Sequence, residues 1–345
     1  MQSPNLPLAT LGLERREILK LLSVGSVVSA AGLLGCAETS RLGPPAPAPA
    51  PIAPRPALTR DFSFLQLSDT HWGYEGPGNP EASHTLIDAV NTINASPLEP
   101  DFVVFTGDLT HTTDDPALRR SRLKEFERIV SDLKVKNRFY LPGEHDAGPD
   151  GGAAFREVFG ATYGAFEHEG IHFVRLDNVS ANSSVGDEQL AWLASDLSRL
   201  SHATPLVLFT HRPLFKLFPS WDWSTRDGER VLDLVHGFDA VTVFYGHIHQ
   251  EHHVTTAGGV KHHAARSLIF PLPAPGSVPK KAPLPWDPEA RDHGLGYRTI
   301  AEAQGAATVT EMAFAPRTTP NNPPQSLDLI GPDRDKWRQI ADLDR

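Results

Sequence analysis

Cysteine is almost absent from this chain of 345 residues: Cys36 stands alone, so no disulfide can form within it. Positive charge is also short. Lys and Arg number 32 against 42 Asp and Glu, a formal net charge of −10. The segment before Cys36 is slightly basic, with Arg15, Arg16 and Lys20 against Glu14 and Glu17, so the rest is more acidic still. An acidic body lacks the basic face that duplex nucleic acid demands, and no duplex partner is expected. A small phosphorylated substrate stays open, because a bound metal can supply local positive charge. Long apolar runs are missing too. The run Leu21 to Leu34 has 14 residues, short of the roughly 20 that span a bilayer.

What stands at the amino terminus reads as an address. Arg15-Arg16 precedes the short apolar run, the layout of a secretory leader over residues 1–35. The pair followed by Glu17-Ile18-Leu19-Lys20 resembles a twin-arginine export signal, although Glu14 departs from the usual Ser or Thr. The run closes Leu33-Leu34-Gly35-Cys36, similar to a bacterial lipoprotein box, which would make Cys36 the lipidated first residue. Ordinary cleavage nearby, with Cys36 a bystander, is the alternative. Residues 36–60 then form a Pro/Ala-rich tether, with seven prolines between positions 43 and 59. Such a stretch prefers extended polyproline geometry, and 17 residues at about 3.1 Å each span about 50 Å. The expectation is a folded body, 61–345, exported to the periplasm or cell envelope and held off a membrane by a lipid anchor.

Within that body, short apolar runs alternate with polar stretches of helical period. Strands are expected over 62–67, 101–106, 138–141, 172–176, 205–210 and 239–244, with helices over 81–95, 117–134, 187–199 and 228–236. Beyond 250 come strand-like pieces near 251–256, 259–265 and 306–314, a proline-rich loop over 271–288, and an amphipathic tail helix over 332–343. The alternation is α/β, with strands buried on both faces. Polar clusters end the strands: Ser68-Asp69-Thr70-His71, Gly107-Asp108, Gly143-Glu144-His145-Asp146, His211, and Gly246-His247-Ile248-His249. Ligands bind at the carboxyl ends of strands in such sheets, so the clusters are expected to converge. Asp69-x-His71 and His247-x-His249 each put two ligands on one side of an extended segment. Carboxylate oxygen with imidazole nitrogen suits Mn, Fe, Zn or Ni.

The series Asp-x-His, Gly-Asp, Gly-x-His-Asp, His, Gly-His-x-His, in this order from residue 62 to about 265, resembles the calcineurin-like metallophosphoesterases. In length and spacing it is most similar to their cyclic-nucleotide phosphodiesterase-like branch. The resemblance implies two mixed β-sheets flanked by helices, a four-layer αββα sandwich, with two divalent ions at the strand ends. It assigns Asp69, His71 and His249 to the first metal and Asp108 to both. His211 and His247, with position 144, go to the second. His145 faces substrate and Asp146 orients His145. The implied reaction is hydrolysis of a phosphate ester, a phosphodiester foremost, by a hydroxide shared between the metals. The alternatives are a phosphomonoesterase or nucleotidase, and a metal-bearing lipoprotein without catalysis. Retention of His145-Asp146 argues for the enzyme.

Glu144 departs from the family pattern, where a neutral Asn is usual. Two divalent ions less Asp69, Asp108 and a hydroxide leave about +1 with Asn and about zero with Glu. A neutral site is expected to disfavour dianionic monoesters relative to monoanionic diesters. The histidine pairs His252/His253 and His262/His263 read as outer contacts of the site or as structural residues. The stretch 218–227 lies between two ligand blocks and is expected to loop near the site. Its Trp221 and Trp223, with Trp72, read either as stacking surfaces for a nucleobase or as packing for the loop.

Overall fold

The computed structural model describes residues 61–303 and 306–313. The leader, Cys36, the tether up to residue 60 and the tail helix expected over 332–343 lie outside the described residues. Strands β1 (Phe62–Leu67), β2 (Phe102–Thr106) and β3 (Arg138–Leu141) are parallel neighbours. They are extended by β10 (Gly296–Ala303) and β11 (Ala306–Ala313), both antiparallel to their neighbours, giving the order β11-β10-β1-β2-β3. The second sheet holds β4 (Gly164–His168), β5 (Ile171–Arg175), β6 (Leu206–Phe209), β7 (Val241–Tyr245), β8 (His252–Thr255) and β9 (Lys261–Ala264). Its order is β4-β5-β6-β7-β9-β8, parallel from β5 through β7 to β9. The helices are α1 (Ala82–Ala95), α2 (Pro116–Val130), the single turn α3 (Glu144–Ala147), α4 (Ala153–Phe159), α5 (Asp187–Leu197) and α6 (Gly228–Val235).

The continuous apolar strands are explained by burial on both faces. In β2, Phe102 and Val104 face the other sheet, while Val103 and Phe105 pack against the α1/α2 layer. In β6, Val207 and Phe209 face inward and Leu206 and Leu208 meet the α5/α6 layer. One side-chain period of two therefore feeds two cores, giving the expected αββα sandwich. The inter-sheet layer is aromatic. Phe64 stacks on Phe102 at 4.7 Å and meets Phe173, Phe209 and Phe244 edge-on at 5.7–5.8 Å. These contacts fix the two sheets so that the carboxyl ends of their parallel strands lie together.

Several boundaries shift from expectation. The helix expected over 117–134 ends at Val130; it starts cleanly because Asp115 accepts the amides of Ala117 and Leu118 and Pro116 opens the first turn. The strand expected over 239–244 runs over Val241–Tyr245. β4 and β10 have no counterpart among the sequence expectations. In β10 one of the buried inward positions, beside Ile300, is Arg298, whose guanidinium donates to Gln66 and to the carbonyl of Ala264. A cation in place of an apolar residue hides the strand's period. Among the described residues no helix is long and apolar enough to cross a membrane.

Candidate metal centre

Each polar block occupies the loop directly after a parallel strand. The loops are stitched to one another: Asp69 N–H donates to Gly107 O (3.1 Å), His71 N–H to Asp108 O (2.9 Å), and Gly246 N–H to His211 O (3.0 Å). The turns are sharp. Asp69, His71, Asp108, His247 and His249 all have positive φ, between 41° and 66°. Left-handed backbone is uncommon for residues with a Cβ and clusters at functional sites. Two glycines are required by space. A Cβ on Gly143 would sit 2.0 Å from Asp108 Oδ1, and one on Gly246 1.9 Å from Ser68 Oγ.

Two donor clusters result. Asp69, His71 and His249 form one; Asp108, Glu144, His211 and His247 form the other. Asp108 Oδ2 lies 3.5 Å from His71 Nε2 and 3.4 Å from His211 Nε2, so one carboxylate oxygen faces both clusters. In the first, His71 Nε2 is 3.3 Å from His249 Nε2, which is 3.4 Å from Asp69 Oδ1. In the second, Glu144 straddles the histidines: Oε1 is 2.8 Å from His247 Nδ1 and Oε2 is 2.8 Å from His211 Nε2. All seven residues expected as ligands are thus brought together.

The outer ring nitrogens settle which atoms face inward. His211 Nδ1 lies 2.8 Å from Thr106 O, His249 Nδ1 2.7 Å from Phe270 O, and His247 Nε2 3.1 Å from Asp222 O. Carbonyls accept only, so these nitrogens carry the proton and the inward nitrogens present lone pairs. His211 Nε2, His247 Nδ1 and Glu144 Oε2 are buried without a hydrogen-bond partner. Donor atoms that converge on one point fit a cation, which would take the place of any proton held between them, and mixed N/O donors fit a divalent transition metal.

The electrostatics point the same way. Burial pushes His71 well below its ordinary pKa, and burial also lowers His247 against the pull of Glu144, so both nitrogens stay neutral. Burial would lower His211, but Asp108 and Glu144 pull it well above the usual value. Burial likewise opposes ionisation of Glu144 and Asp108; the histidines around them outweigh it and hold both carboxyls low. Paired anions with this pull on a neighbouring proton form a cradle for positive charge.

His145 lies at the mouth, its side chain 26% exposed, with Nε2 3.9 Å from Asp108 Oδ2. Its Nδ1 accepts the amide of Thr112 at 3.2 Å, which leaves the proton on Nε2. Asp146 makes a different connection from the one the resemblance implied. Its carboxylate accepts the amides of Leu109, Thr110 and Gly143 and the Thr110 hydroxyl, all at 2.8–2.9 Å. It therefore positions His145 through the backbone, by tying the turn at Gly143 to the loop after Asp108. Burial, with Asp108 adding to it, raises its pKa to about 6.

Two further charged groups, Arg212 and Asp222, stand beside Glu144. Arg212, buried at 3% exposure, places Nε 3.6 Å from Glu144 Oε2. Its NH1 also pairs with the Asp222 carboxylate (2.6 Å) and donates to the Asp222 carbonyl (3.1 Å). The guanidinium is thus shared between two carboxylates, and with Asp222 it adds no net charge to the count made for Glu144. The loop 218–227 does reach the site, as expected, but through Asp222. Trp223 and Trp221 are buried against each other edge-on at 5.2 Å, and Trp72 Nε1 donates to Glu125. They pack rather than present a free face. The later histidines are structural: His252 meets Tyr245 Oη, His253 meets His263 and Glu251, and His262 is fully buried beside Thr256. None joins a metal cluster among the described residues.

Sequence reading missed Arg212, Asp222 and His111. His111 groups with His71 and His145, and burial, then His145 and Arg122, lowers its pKa to about 4. Its position three residues after Asp108, in Gly-Asp-Leu-Thr-His, was the available signal.

This fold and this donor set define a phosphoesterase scaffold built around metal. The chain belongs to the calcineurin-like phosphoesterase family, whose model matches residues 62–251. It is 27% identical over 209 residues to a Rhodococcus erythropolis protein named "Probable cyclic nucleotide phosphodiesterase", covering 56% of this chain and 67% of that one. It is 28% identical over 207 residues to a probable glycerophosphodiester phosphodiesterase of Arcobacter nitrofigilis, covering 54% and 71%. Among solved structures, a dimetal phosphatase from Danio rerio shares the fold, with a TM-score of 0.51 and 15% identity over 74% of this chain and 99% of that one.

Proposed function

We propose that this chain is a metal-dependent phosphodiesterase with a dinuclear centre. The observation that carries the reading is Asp108 Oδ2 facing both donor clusters, with the half-open His145 beside it. Asp69, His71, His249 and Asp108 would hold one ion, and Asp108, Glu144, His211 and His247 the other. Two divalent ions, when bound, supply Lewis acidity and acidify water enough to attack phosphorus at neutral pH. The chain's own residues do the rest. The stitched loops hold the donors, the inward lone pairs are fixed by outer carbonyls, and the His145 Nε2–H is aimed at the mouth, where it donates to the departing oxygen. Preference for a diester is supported by the names of the two bacterial relatives. A second reading, a monoesterase, is supported by Arg212 beside Glu144, which weakens the repulsion of a dianion although Asp222 shares that guanidinium.

The test is turnover of bis(p-nitrophenyl) phosphate and p-nitrophenyl phosphate by the protein reconstituted with Mn, Fe, Zn or Ni, beside His145→Ala and Asp108→Ala. Faster diester cleavage that both variants lose supports the reading; faster monoester cleavage transfers it to the phosphatase. The twin arginines and Cys36 support export and a lipid anchor at the cell envelope. Metabolic labelling with palmitate that disappears in Cys36→Ala checks the anchor.

A further inference from the structure

His71 differs from the other ligand histidines in its outer partner. The outer nitrogens of His211, His247 and His249 each meet a backbone carbonyl. The outer nitrogen of His71, Nδ1, meets another imidazole: His111 Nδ1, at 3.4 Å. An imidazole, unlike a carbonyl, has a second nitrogen, and that nitrogen is fixed by what the first one does.

The protons follow in order. His71 Nε2 faces Asp108, His249 and the first donor cluster, so toward an ion held there it would present its lone pair, with the proton on Nδ1. His111 Nδ1 must accept that proton's hydrogen bond, so the His111 proton sits on Nε2. The ring is held in place. Its own amide donates to Trp72 O, its carbonyl accepts from Arg122, and Tyr74 packs edge-on at 5.0 Å. His111 then stacks at 5.0 Å and 27° on His145, whose proton is also on Nε2 because Thr112 N–H occupies Nδ1. Two near-parallel, part-buried rings in the same tautomer stand side by side next to His71.

We infer that His111 is a second substrate-contacting hydrogen-bond donor: with His145 it forms a paired Nε2–H clamp for phosphoryl oxygens. This rests on the phosphoesterase reading for its substrate, and it makes His111 do two jobs. Nδ1 orients a metal ligand, and Nε2–H meets the ester. An anionic oxygen gains more from such a donor than a neutral one, so the clamp serves the charged phosphoryl group.

The first test needs no turnover. In ¹⁵N-histidine-labelled, Zn-loaded full-length protein, long-range ¹H–¹⁵N correlations should show His71 as the Nδ1–H tautomer and His111 as Nε2–H. A His111 proton on Nδ1 overturns the proposal. The second separates the two jobs. In His111→Asn, the side-chain oxygen reaches the Nδ1 position and keeps the partner of His71, but the Nε2 donor is gone. Bound metal should stay at the wild-type level, while inorganic phosphate binds about tenfold more weakly by calorimetry and kcat falls about tenfold or more. His111→Gln, which returns an amide donor near the Nε2 position, should recover part of both. Wild-type phosphate affinity and turnover in His111→Asn would reject the clamp. A wild-type protein that cleaves neither ester fails the phosphoesterase reading instead, and the tautomer and phosphate results still decide this one.

Discussion

Arg212 Nε stands 3.6 Å from Glu144 Oε2, inside the protein, where a charged carboxylate replaces the family's neutral amide. The two residues come from loops after different sheets, β3 and β6. Arg212 is buried and shared with Asp222 at 2.6 Å, so Glu144 is one of two carboxylates that offset the cost of burying its charge. The pair also sets the charge of the site seen by substrate.

Reciprocal variants test that pairing. Glu144→Asn leaves Arg212 in place and makes the site more positive; Arg212→Met leaves Glu144 and makes it more negative. The ratio of monoester to diester turnover should rise in the first and fall in the second, each by about tenfold. A unit charge about 10 Å from phosphorus at an effective dielectric near 20 exerts about 1.7 kcal/mol, enough for that change. Ratios that move together, or stay fixed, remove Glu144 and Arg212 from specificity.

Metal removal should be visible in stability. Chelation would strip an ion held where the donors of Asp108, Glu144, His211 and His247 converge. Returning Mn at about a hundred times its Kd adds about 2.7 kcal/mol, a rise of about 5–10 °C in Tm for a domain of this size. His211→Ala should lose most of that rise. Scanning calorimetry with and without chelator gives the answer, and equal Tm values would argue against a resident metal.

Asp146→Asn should harm the fold as well as the rate. The amide group would turn N–H toward backbone N–H donors of Leu109, Thr110 and Gly143 that now meet a carboxylate. Leaving buried donors unmet costs about 2–4 kcal/mol here. Urea denaturation of the variant should show the loss. If only kcat changes, the carboxylate acts on His145 by some route other than this backbone tie.

Acid sensitivity should trace in part to His262, remote from the donor clusters and fully buried. Burial, with His252 nearby, lowers its pKa to about 4. The unfolded chain takes up this proton below about 6.5, whereas the folded one resists until about 4. Falling pH therefore favours unfolding, by about 2 kcal/mol at pH 5, with no further loss from this group below about 4. His262→Gln should flatten the decline in urea midpoint between pH 7 and pH 5, and an unchanged slope would clear His262 of it.

Strand periodicity and strand-end chemistry are local, so the two-faced strands, the α/β alternation and the ligand types are legible along the chain. Phe102-Val103-Val104-Phe105 can only be buried on both faces, and Asp69, Asp108 and His247 each follow such a run. Only the tertiary structure decided the rest. β10 was hidden by Arg298, an inward cation satisfied by Gln66 and Ala264 from distant strands. Arg212 looked like a neighbour of His211 until folding set it against Glu144, and His111 looked like a loop residue until its ring met His71. Which nitrogen holds the proton, and which charge cancels which, depends on groups brought together across the sandwich, and no local pattern along the chain encodes those distances.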